Sequence, residues 1–383
     1  MGIFDLIKKK ETTKLKSEVQ QKEESNAVVK THPPKSSKRK TLGNDFQKLA
    51  DTKDDEAIIA FLKRCDVNAC GGVPKRSALG FDISERVMNW LVEQGADVNF
   101  TNSYGATPLH HHAGMRTGNV KHLLKLGASI NAKDKMGDTP LSKAVEAFQF
   151  ENVKALVEAG ADIDVIVRDL PLIGLALRGT SNINIPVCAD IVEYLFDKGA
   201  KLTGEEAKEV TRIGSDFEFY YDRISSELVD ELEAGLHRLY KLFDVSPVPK
   251  RIMQKLNEPI KVTSTTWQKQ HHELWNLLVP AQNHAETLQG EIIRISGKLS
   301  YEILDNGGMN WDQEYVKMAR SMSDYLRQGK MEENDLKECE SLIEQICEDQ
   351  ADETGIERLC ELSVKWVLQN TMPTVLNQVE YNR

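Results

Sequence analysis

The sequence predicts an all-α fold in which a solenoid of stacked helix pairs is followed by an α-helical C-terminal domain. One observation is a motif that recurs after about 33 residues, with Thr-Pro-Leu at 107–109 and 139–141 and Gly-Ala at 127–128 and 160–161. A second is that apolar residues recur every three or four positions in much of the chain beyond residue 204. Helix pairs of this period bury a core only by stacking, which predicts an array with atypical units at both ends.

Residues 1–42 are predicted to form a basic, disordered tail. The first 40 residues hold eleven Lys/Arg and five Asp/Glu, and so polar a segment buries too little apolar surface to fold. Residues 1–10 are weakly amphipathic. We therefore expect at most a weak peripheral contact with a membrane there and no stable insertion, since no apolar run reaches membrane-spanning length.

The repeating unit has clear helix signals at its start and its end. Thr107 and Thr139 are suited to cap helices that begin at the following prolines, because proline in the first turn loses no hydrogen bond. Gly127 and Gly160 are placed to end the second helix of each unit in a left-handed conformation. Each unit is therefore predicted to be a short helix, a turn and a second helix.

This pattern closely resembles the ankyrin repeat, because two adjacent copies share motif, order and period. The resemblance covers roughly residues 45–203 and weakens at both ends. The copy after residue 169 has Leu170 where threonine is expected, and a degenerate Ser77-Ala78-Leu79 stands in the copy before residue 100. The predicted units are a cap at 43–70 and repeats at 73–100, 104–133, 137–166 and 169–203.

The ankyrin resemblance implies a non-catalytic protein that binds a partner protein through its concave face, at the hairpin tips and the first-helix surface. It also implies that His110 bonds the turn backbone. A third tip at 167–169 lacks the expected glycine, so we do not include its residues among the implied partner contacts. The implied partner-binding residues are Thr101, Asn102, Ser103, Tyr104, His111, His112, Met115, Arg116, Lys133, Asp134, Lys135, Met136, Asp138, Lys143 and Glu146.

Composition limits the other functional classes. A net charge of −10 argues against a general nucleic-acid binder. The six cysteines show no disulfide or metal-ligand spacing and no signal peptide is recognisable, which favours reduced thiols and a cytoplasmic location. The run His110-His111-His112 is a poor metal site because consecutive helical residues point in different directions. No cofactor is predicted.

Residues 204–258 are predicted to be a helical connector, and residues 259–383 an α-helical domain. The domain loosely resembles a small helical domain found in uncharacterised bacterial proteins, which implies a separate module and a bacterial origin but no activity. The predicted helices of the domain are 267–279, 286–304, 311–327, 332–349 and 355–369. The acidic residues between Glu332 and Glu361 are interpreted mostly as a solvated helix face.

Two functional hypotheses remain open. In the first, the array binds a partner protein, and an acidic binder of this kind could inhibit a toxin or enzyme, as immunity proteins do. In the alternative, the array only positions a substrate and the C-terminal domain is an enzyme or effector. That alternative requires Glu291, Arg294 and Asp312 to converge in one pocket, although ion pairing and helix capping also explain these residues.

Overall fold

A computed structural model describes residues 38–72, 75–348 and 352–383. Residues 1–37, which hold most of the predicted basic tail and all of its amphipathic start, lie outside this range.

The prediction of disorder is wrong for residues 38–42. Strand β1 (Arg39–Thr41) pairs in parallel with β2 (Cys65–Gly71), and the following Leu42 is 1% exposed. β2 pairs on its other edge, antiparallel, with β3 (Arg76–Ser77), so a small sheet closes the first end of the array.

The described chain is predominantly helical, as predicted. Helices of the array and its ends are α1 (Phe46–Asp51), α2 (Asp55–Leu62), α3 (Glu85–Glu93), α4 (Pro108–Ala113), α5 (Val120–Lys125), α6 (Pro140–Glu146), α7 (Phe150–Glu158), α8 (Leu172–Arg178), α9 (Ile185–Asp197), α10 (Glu206–Phe219) and α11 (Ser226–Leu242). The C-terminal helices are α12 (Trp267–Leu278), α13 (Leu288–Ser300), α14 (Gln313–Leu326), α15 (Glu333–Cys347) and α16 (Glu353–Gln369). Within the described ranges, none of them has both the length and the apolar character needed to cross a membrane.

The start and end signals of the repeats act as predicted. Thr107 and Thr139 precede helices that begin at proline, and each takes part in a reciprocal capping box with the third helical residue. Gly127 and Gly160 follow the second helices with φ of +95° and +90°, a conformation that costs glycine little. These caps give hydrogen-bond partners to backbone groups at the helix ends that would otherwise have none.

The hairpin between the third and fourth repeats forms without a glycine. Strands β4 (Ile166–Val167) and β5 (Leu170–Pro171) pair antiparallel, and the turn between them places Arg168 at φ +50° and Asp169 at φ +64°. Positive φ at both central residues is what a tight two-residue hairpin turn requires, and aspartate tolerates it better than most residues. The row of hairpin tips therefore continues past the second tip.

Helices α10 and α11, in the segment predicted as a connector, stack on α8 and α9 as a further layer of the array. Leu232, Leu236 and Leu239 of α11 belong to the same apolar core as the repeats. Gly235 allows close approach, since a Cβ there would lie 2.9 Å from the Cα of Pro186. These helices cover the apolar side of the last repeat, as a capping unit must.

Residues from 260 onwards form a second apolar core around the central helix α13, which packs against α12, α14 and α16. Helix α13 continues into one π-helical turn, Tyr301–Asp305. After α16 the chain crosses back over α13 in extended form, and the backbone N–H of Leu288 donates to the carbonyl of Thr374 at 2.9 Å. We call residues 370–383 the C-terminal strap.

Arg251 joins the array to the C-terminal domain. Its side chain donates to the carbonyl of Phe219, at the end of α10, at 3.2 Å, and to the carbonyl of Asn276, near the end of α12, at 2.7 Å. It also donates to the carbonyl of Val279 and lies over the ring of Phe219. A single guanidinium thus bonds the C-terminal ends of two helices, where cations are favoured.

Candidate protein interface

The first two hairpin tips are the same turn built twice. Asn102 Oδ1 accepts hydrogen bonds from the backbone N–H groups of Tyr104 at 2.8 Å and Ala106 at 3.0 Å. Asp134 Oδ1 accepts from the equivalent groups of Met136 at 2.8 Å and Asp138 at 3.0 Å. Side-chain acceptors of this kind fix the backbone of a turn and leave its outer residues free to face solvent.

Each turn displays one large apolar side chain. Tyr104 is 60% exposed and Met136 is 66% exposed, and they occupy equivalent positions in consecutive repeats. The two tips are in direct contact, because the backbone N–H of Lys135 donates to the carbonyl of Tyr104 at 2.8 Å. We call Tyr104, Lys133, Lys135 and Met136 the tip ridge. Tyrosine and methionine are enriched in protein interfaces, so Tyr104 and Met136 are residue types typical of a contact surface.

An ion cluster connects the second tip to the first-helix surface. The carboxylate of Asp138 is buried and bonds Lys143, and Lys143 also bonds Glu146 at 3.3 Å. Arg168, from the third hairpin, pairs with Glu146 and lies 3.5 Å from Asp138. Burial would lower the pKa of Lys143, but the bonds and charges of Asp138 and Glu146 outweigh it and raise that pKa. Lys143 therefore stays protonated throughout the neutral pH range.

His110 has the structural role that the resemblance implies. Its Nδ1 accepts from the backbone N–H of Thr107 at 3.1 Å, and its Nε2 donates to the carbonyl of Asp138 at 3.0 Å. Its ring therefore joins its own turn to the next repeat. Burial lowers the pKa of His110 and keeps the ring neutral.

The prediction that His112 lies on the binding face is wrong. The side chain is fully buried; its Nδ1 accepts from Asn119 N–H at 3.1 Å and its Nε2 donates to the carbonyl of Leu79 at 3.0 Å. Burial lowers its pKa to about 4. His111 is only half-buried; its pKa is lowered to about 4 by burial and by the charge of Arg76. Its ring lies 3.3 Å from the amide of Asn102.

The remaining predicted contact residues divide by exposure. Asn102 and Asp138 are buried, so they shape the surface rather than contact a partner, which corrects their assignment. Half-buried positions are Met115, Asp134, Lys143 and Glu146. Exposed positions are Thr101, Ser103, Tyr104, Arg116, Lys133, Lys135 and Met136. Arg116 lies three residues after the end of α4, a helix about 9 Å long whose first residue is next to the tip.

The structure adds two residues, Ile166 and Arg178, that the sequence did not indicate as candidates. A cavity of about 460 Å³ lies beside the ion cluster and is lined by Glu146, Arg168, Leu170, Leu175, Arg178 and Gly179. Arg178 is exposed at its edge, and Ile166 is 51% exposed on the third hairpin. The sequence did not indicate Ile166 and Arg178 because the start of the fourth repeat is degenerate. Its alignment with the other repeats becomes clear only from the pairing of β4 with β5.

The C-terminal candidates do not form one pocket. Glu291 and Arg294 pair at 2.6 Å with exposures of 0% and 2%, as their spacing predicted. Tyr381 of the C-terminal strap donates to Glu291 Oε1 at 2.5 Å. Asp312 instead caps α14 and pairs with Arg383. A cleft of about 440 Å³ at the junction with the array is lined by residues such as Arg223, Arg251 and His284, but by none of the three.

Other chemistry-bearing groups in the C-terminal domain are buried. Burial raises the pKa of the Cys339 and Cys360 thiols to about 12, so neither is a thiolate at neutral pH. Burial also lowers the pKa of His271 to about 4, and its Nε2 lies 2.9 Å from the hydroxyl of Ser296. Over residues 38–72, 75–348 and 352–383, no group of three or more His, Cys, Asp and Glu side chains could hold a metal ion.

Comparisons with known proteins agree with the geometry of the array. A family profile described as ankyrin repeats (3 copies) matches residues 78–167. A Fowlpox virus protein, named as an ankyrin repeat protein, is 31% identical over 27% of this chain and 40% of its own length. Ankyrin repeat and SOCS box protein 6 of Homo sapiens is 36% identical, and that of Pongo abelii 35%, each over 21% of both chains. This chain therefore spans less than half the length of these relatives.

Proposed function

Since residues 78–167 are ankyrin repeats, which generally mediate protein–protein interaction, we propose that the chain is a non-catalytic binder that captures a partner protein through the tip ridge. The observation that carries the proposal is the adjacent display of Tyr104 and Met136, each more than half exposed. Large apolar side chains in such positions are stabilised by burial against a partner.

The rigidity of the turns supports the proposal. Asn102 and Asp134 each hold two backbone N–H groups, so the ridge backbone is ordered before any partner arrives. Binding then costs little backbone entropy, which is the main benefit of a preformed surface. The ion cluster beside the ridge, with Lys143, Glu146 and Arg168, supplies the polar rim that protein interfaces usually have.

The proposal is tested by recovering partners from a lysate of the protein's own source with tagged full-length chain. The test variant carries Tyr104→Ala and Met136→Ala. The matched control carries Tyr301→Ala and Met309→Ala, because these are the same residue types, 62% and 85% exposed, in the C-terminal domain. We expect a partner that binds wild type and the control variant but is lost with the tip variant.

The reverse outcome would contradict the proposal. A partner retained by the tip variant and lost with the control would move the interface to the C-terminal domain. An enzymatic or effector role for that domain would then be the better explanation. A finer proposal is that binding inhibits a partner that is an enzyme or toxin, because the chain covers the partner's surface. Measuring the partner's activity with and without the bound chain tests it.

The proposal places the protein in the cytoplasm. All six cysteines are free thiols, and four of them are buried. Free buried cysteines suit a reducing compartment, where thiols stay reduced. Locating a tagged chain by fractionation, with compartment markers as controls, tests this part of the proposal.

A further inference from the structure

The charge of the candidate interface differs from that of the chain. The chain has a net charge of −10. Between residues 101 and 178, however, the hairpin tips, the first helices and the loop after α4 carry six cationic side chains and four carboxylates. The cations are Arg116, Lys133, Lys135, Lys143, Arg168 and Arg178, and the carboxylates are Asp134, Asp138, Glu146 and Asp169.

Two of the four carboxylates are neutralised within the surface. Asp138 and Glu146 are bonded by Lys143 and Arg168 in the ion cluster. Charges paired in this way give little attraction to a partner, because each partly cancels the field of the other. The field that a partner meets is therefore set by the remaining groups.

The remaining groups are mostly cationic and they flank the apolar anchors. Lys133 and Lys135 lie on either side of Asp134 and are exposed, and neither makes an ion pair with a residue in the described ranges. Asp134 is half-buried, and its Oδ1 already accepts from two backbone N–H groups. Arg178, also exposed, adds a further cation at the cavity edge.

The opposite side of the array has the reverse balance. Between residues 85 and 164, the second helices and the loops after them carry seven carboxylates and four cations. Their exposed carboxylates include Glu93, Asp97, Glu158, Asp162 and Asp164. Of these two faces of the repeats, the one with Tyr104 and Met136 is therefore the more cationic, and it is the one suited to an acidic partner.

We propose that the partner of the tip ridge is an acidic protein segment with apolar side chains among its Asp and Glu residues. This inference rests on the proposed function and specifies the chemistry of the partner. The apolar side chains pack on Tyr104 and Met136, and the carboxylates meet Lys133 and Lys135. Complementary charge of this kind raises the rate of association and excludes basic competitors.

A nucleic acid would also respond to a basic surface, but the observations favour a protein. Few unpaired cations lie on the ridge, whereas nucleic-acid binding draws on many phosphate contacts and a basic domain. The acidic remainder of the array would repel a long polyanion. A short acidic segment meets only the ridge and avoids that repulsion.

The test uses a phage-displayed library of random peptides selected on immobilised full-length protein. Three further proteins are compared with wild type. One carries Lys133→Glu and Lys135→Glu; its matched control carries Lys121→Glu and Lys125→Glu, at exposed lysines of the second helix α5. The third is the Tyr104→Ala, Met136→Ala variant, which reports on the ridge itself.

We expect the enriched peptides to combine Asp or Glu with aromatic or aliphatic residues. Reversing the two ridge charges should weaken their binding by about tenfold or more, while the α5 control stays near wild type, and added salt should weaken wild-type binding. Equal weakening by both charge variants, peptides without acidic enrichment, or no enriched peptides would overturn the inference. So would displacement of the peptides by an equal charge concentration of single-stranded DNA.

The outcomes separate this inference from the proposed function. Neutral or basic peptides that depend on Tyr104 and Met136 would leave the ridge as a protein-binding surface and remove only its acidic preference. Peptides that bind the Tyr104→Ala, Met136→Ala variant as tightly as wild type would instead place the interface elsewhere. That result would contradict the proposed function itself.

Discussion

Two buried histidines of the array bond residues about one repeat away, whereas the buried Glu291–Arg294 pair of the C-terminal domain is bonded by a residue at the far end of the chain. His110 bonds the carbonyl of Asp138, 28 positions on, and His112 bonds the carbonyl of Leu79, 33 positions back. Tyr381 reaches Glu291 across 90 positions. Polar bonds thus join neighbouring repeats in the array, whereas in the C-terminal domain they join helix α13 to the distant C-terminal strap.

This difference has consequences for stability. In a repeat array the free energy of unfolding is approximately a sum over units and their interfaces, so one lost bond weakens one interface. In the C-terminal domain, Glu291, Arg294 and the C-terminal strap depend on each other. Damage at one point should then spread through the domain.

The largest expected effect is that of Arg294→Ala. The substitution leaves the fully buried carboxylate of Glu291 without its cation, and breaking such a pair typically costs about 3–5 kcal/mol. Burial would raise the pKa of Glu291, but the bonds and charge of Arg294 and the bonds from Tyr381 and Ala285 outweigh it and lower that pKa. Hydrogen exchange should show protection lost in α12–α16 and kept in the repeats.

The matched control for this prediction is Arg358→Ala. Arg358 also binds two carboxylates, Glu338 and Glu361, but all three are partly exposed to solvent. Exposed pairs contribute about 0–1 kcal/mol, so the control should be close to wild type. Equal loss of hydrogen-exchange protection in both variants would contradict this prediction. Loss of protection in the repeats of Arg294→Ala would also contradict it, because the two regions would then not differ as proposed.

The next effect is a pH dependence that His112 gives to the array. Its pKa is about 4 in the folded protein and about 6.5 when unfolded, because burial disfavours the charged ring. Below pH 6.5 the unfolded chain binds a proton that the folded one does not, so stability falls as pH decreases towards 4. The loss reaches about 3 kcal/mol, since each pKa unit corresponds to about 1.4 kcal/mol.

The check is to measure protection of the repeat amides between pH 4 and pH 7.5 in wild type and in His112→Gln. The variant should be less stable at pH 7.5, because the N–H of Asn119 and the carbonyl of Leu79 lose their partner. Its stability should also vary less with pH. An unchanged pH dependence would mean that His112 titrates normally in the folded protein.

A smaller and more local effect is expected for Gly118→Ala, in the loop before α5. A Cβ at this position would lie 1.9 Å from the carbonyl oxygen of His112, so the backbone must move, at a typical cost of about 1–3 kcal/mol. Gly114→Ala is the control, because its nearest contact would be 3.8 Å away. Thermal unfolding should separate the two, with Gly114→Ala close to wild type.

The same difference in contact range decides what the sequence could predict. The helix starts at Pro108 and Pro140 were predictable because the motif occurs twice, and the turn role of His110 was implied by the ankyrin resemblance. His112 was misplaced because nothing in that motif indicates its bond to Leu79. The strap was not predicted at all, since bonds from Gln289 to the carbonyls of Asn370 and Met372 span more than 80 positions and leave no periodic signal.

For the candidate interface, the sequence predicted the exposed residues of the tips. It did not predict which tip residues are buried or that the ridge is cationic. Tyr104 and Met136 were predicted from their place in the repeat, and both are exposed. The buried state of Asn102 and Asp138 follows from hydrogen bonds that form only when the turn closes. The cationic character of the ridge requires knowing that Glu146 is paired across repeats with Arg168, which comes from a different hairpin.

The smallest expected effect on stability is that of Tyr104→Ala combined with Met136→Ala. Both side chains are mostly in solvent, and surface substitutions away from caps and buried networks usually change the free energy of unfolding by less than about 0.5 kcal/mol. Thermal unfolding should therefore match wild type even though partner binding is lost. Large destabilisation would show that these residues support the repeats, and loss of binding could then no longer be attributed to the surface. A small change in thermal stability would show that the residues that stabilise the array are different from those that bind a partner.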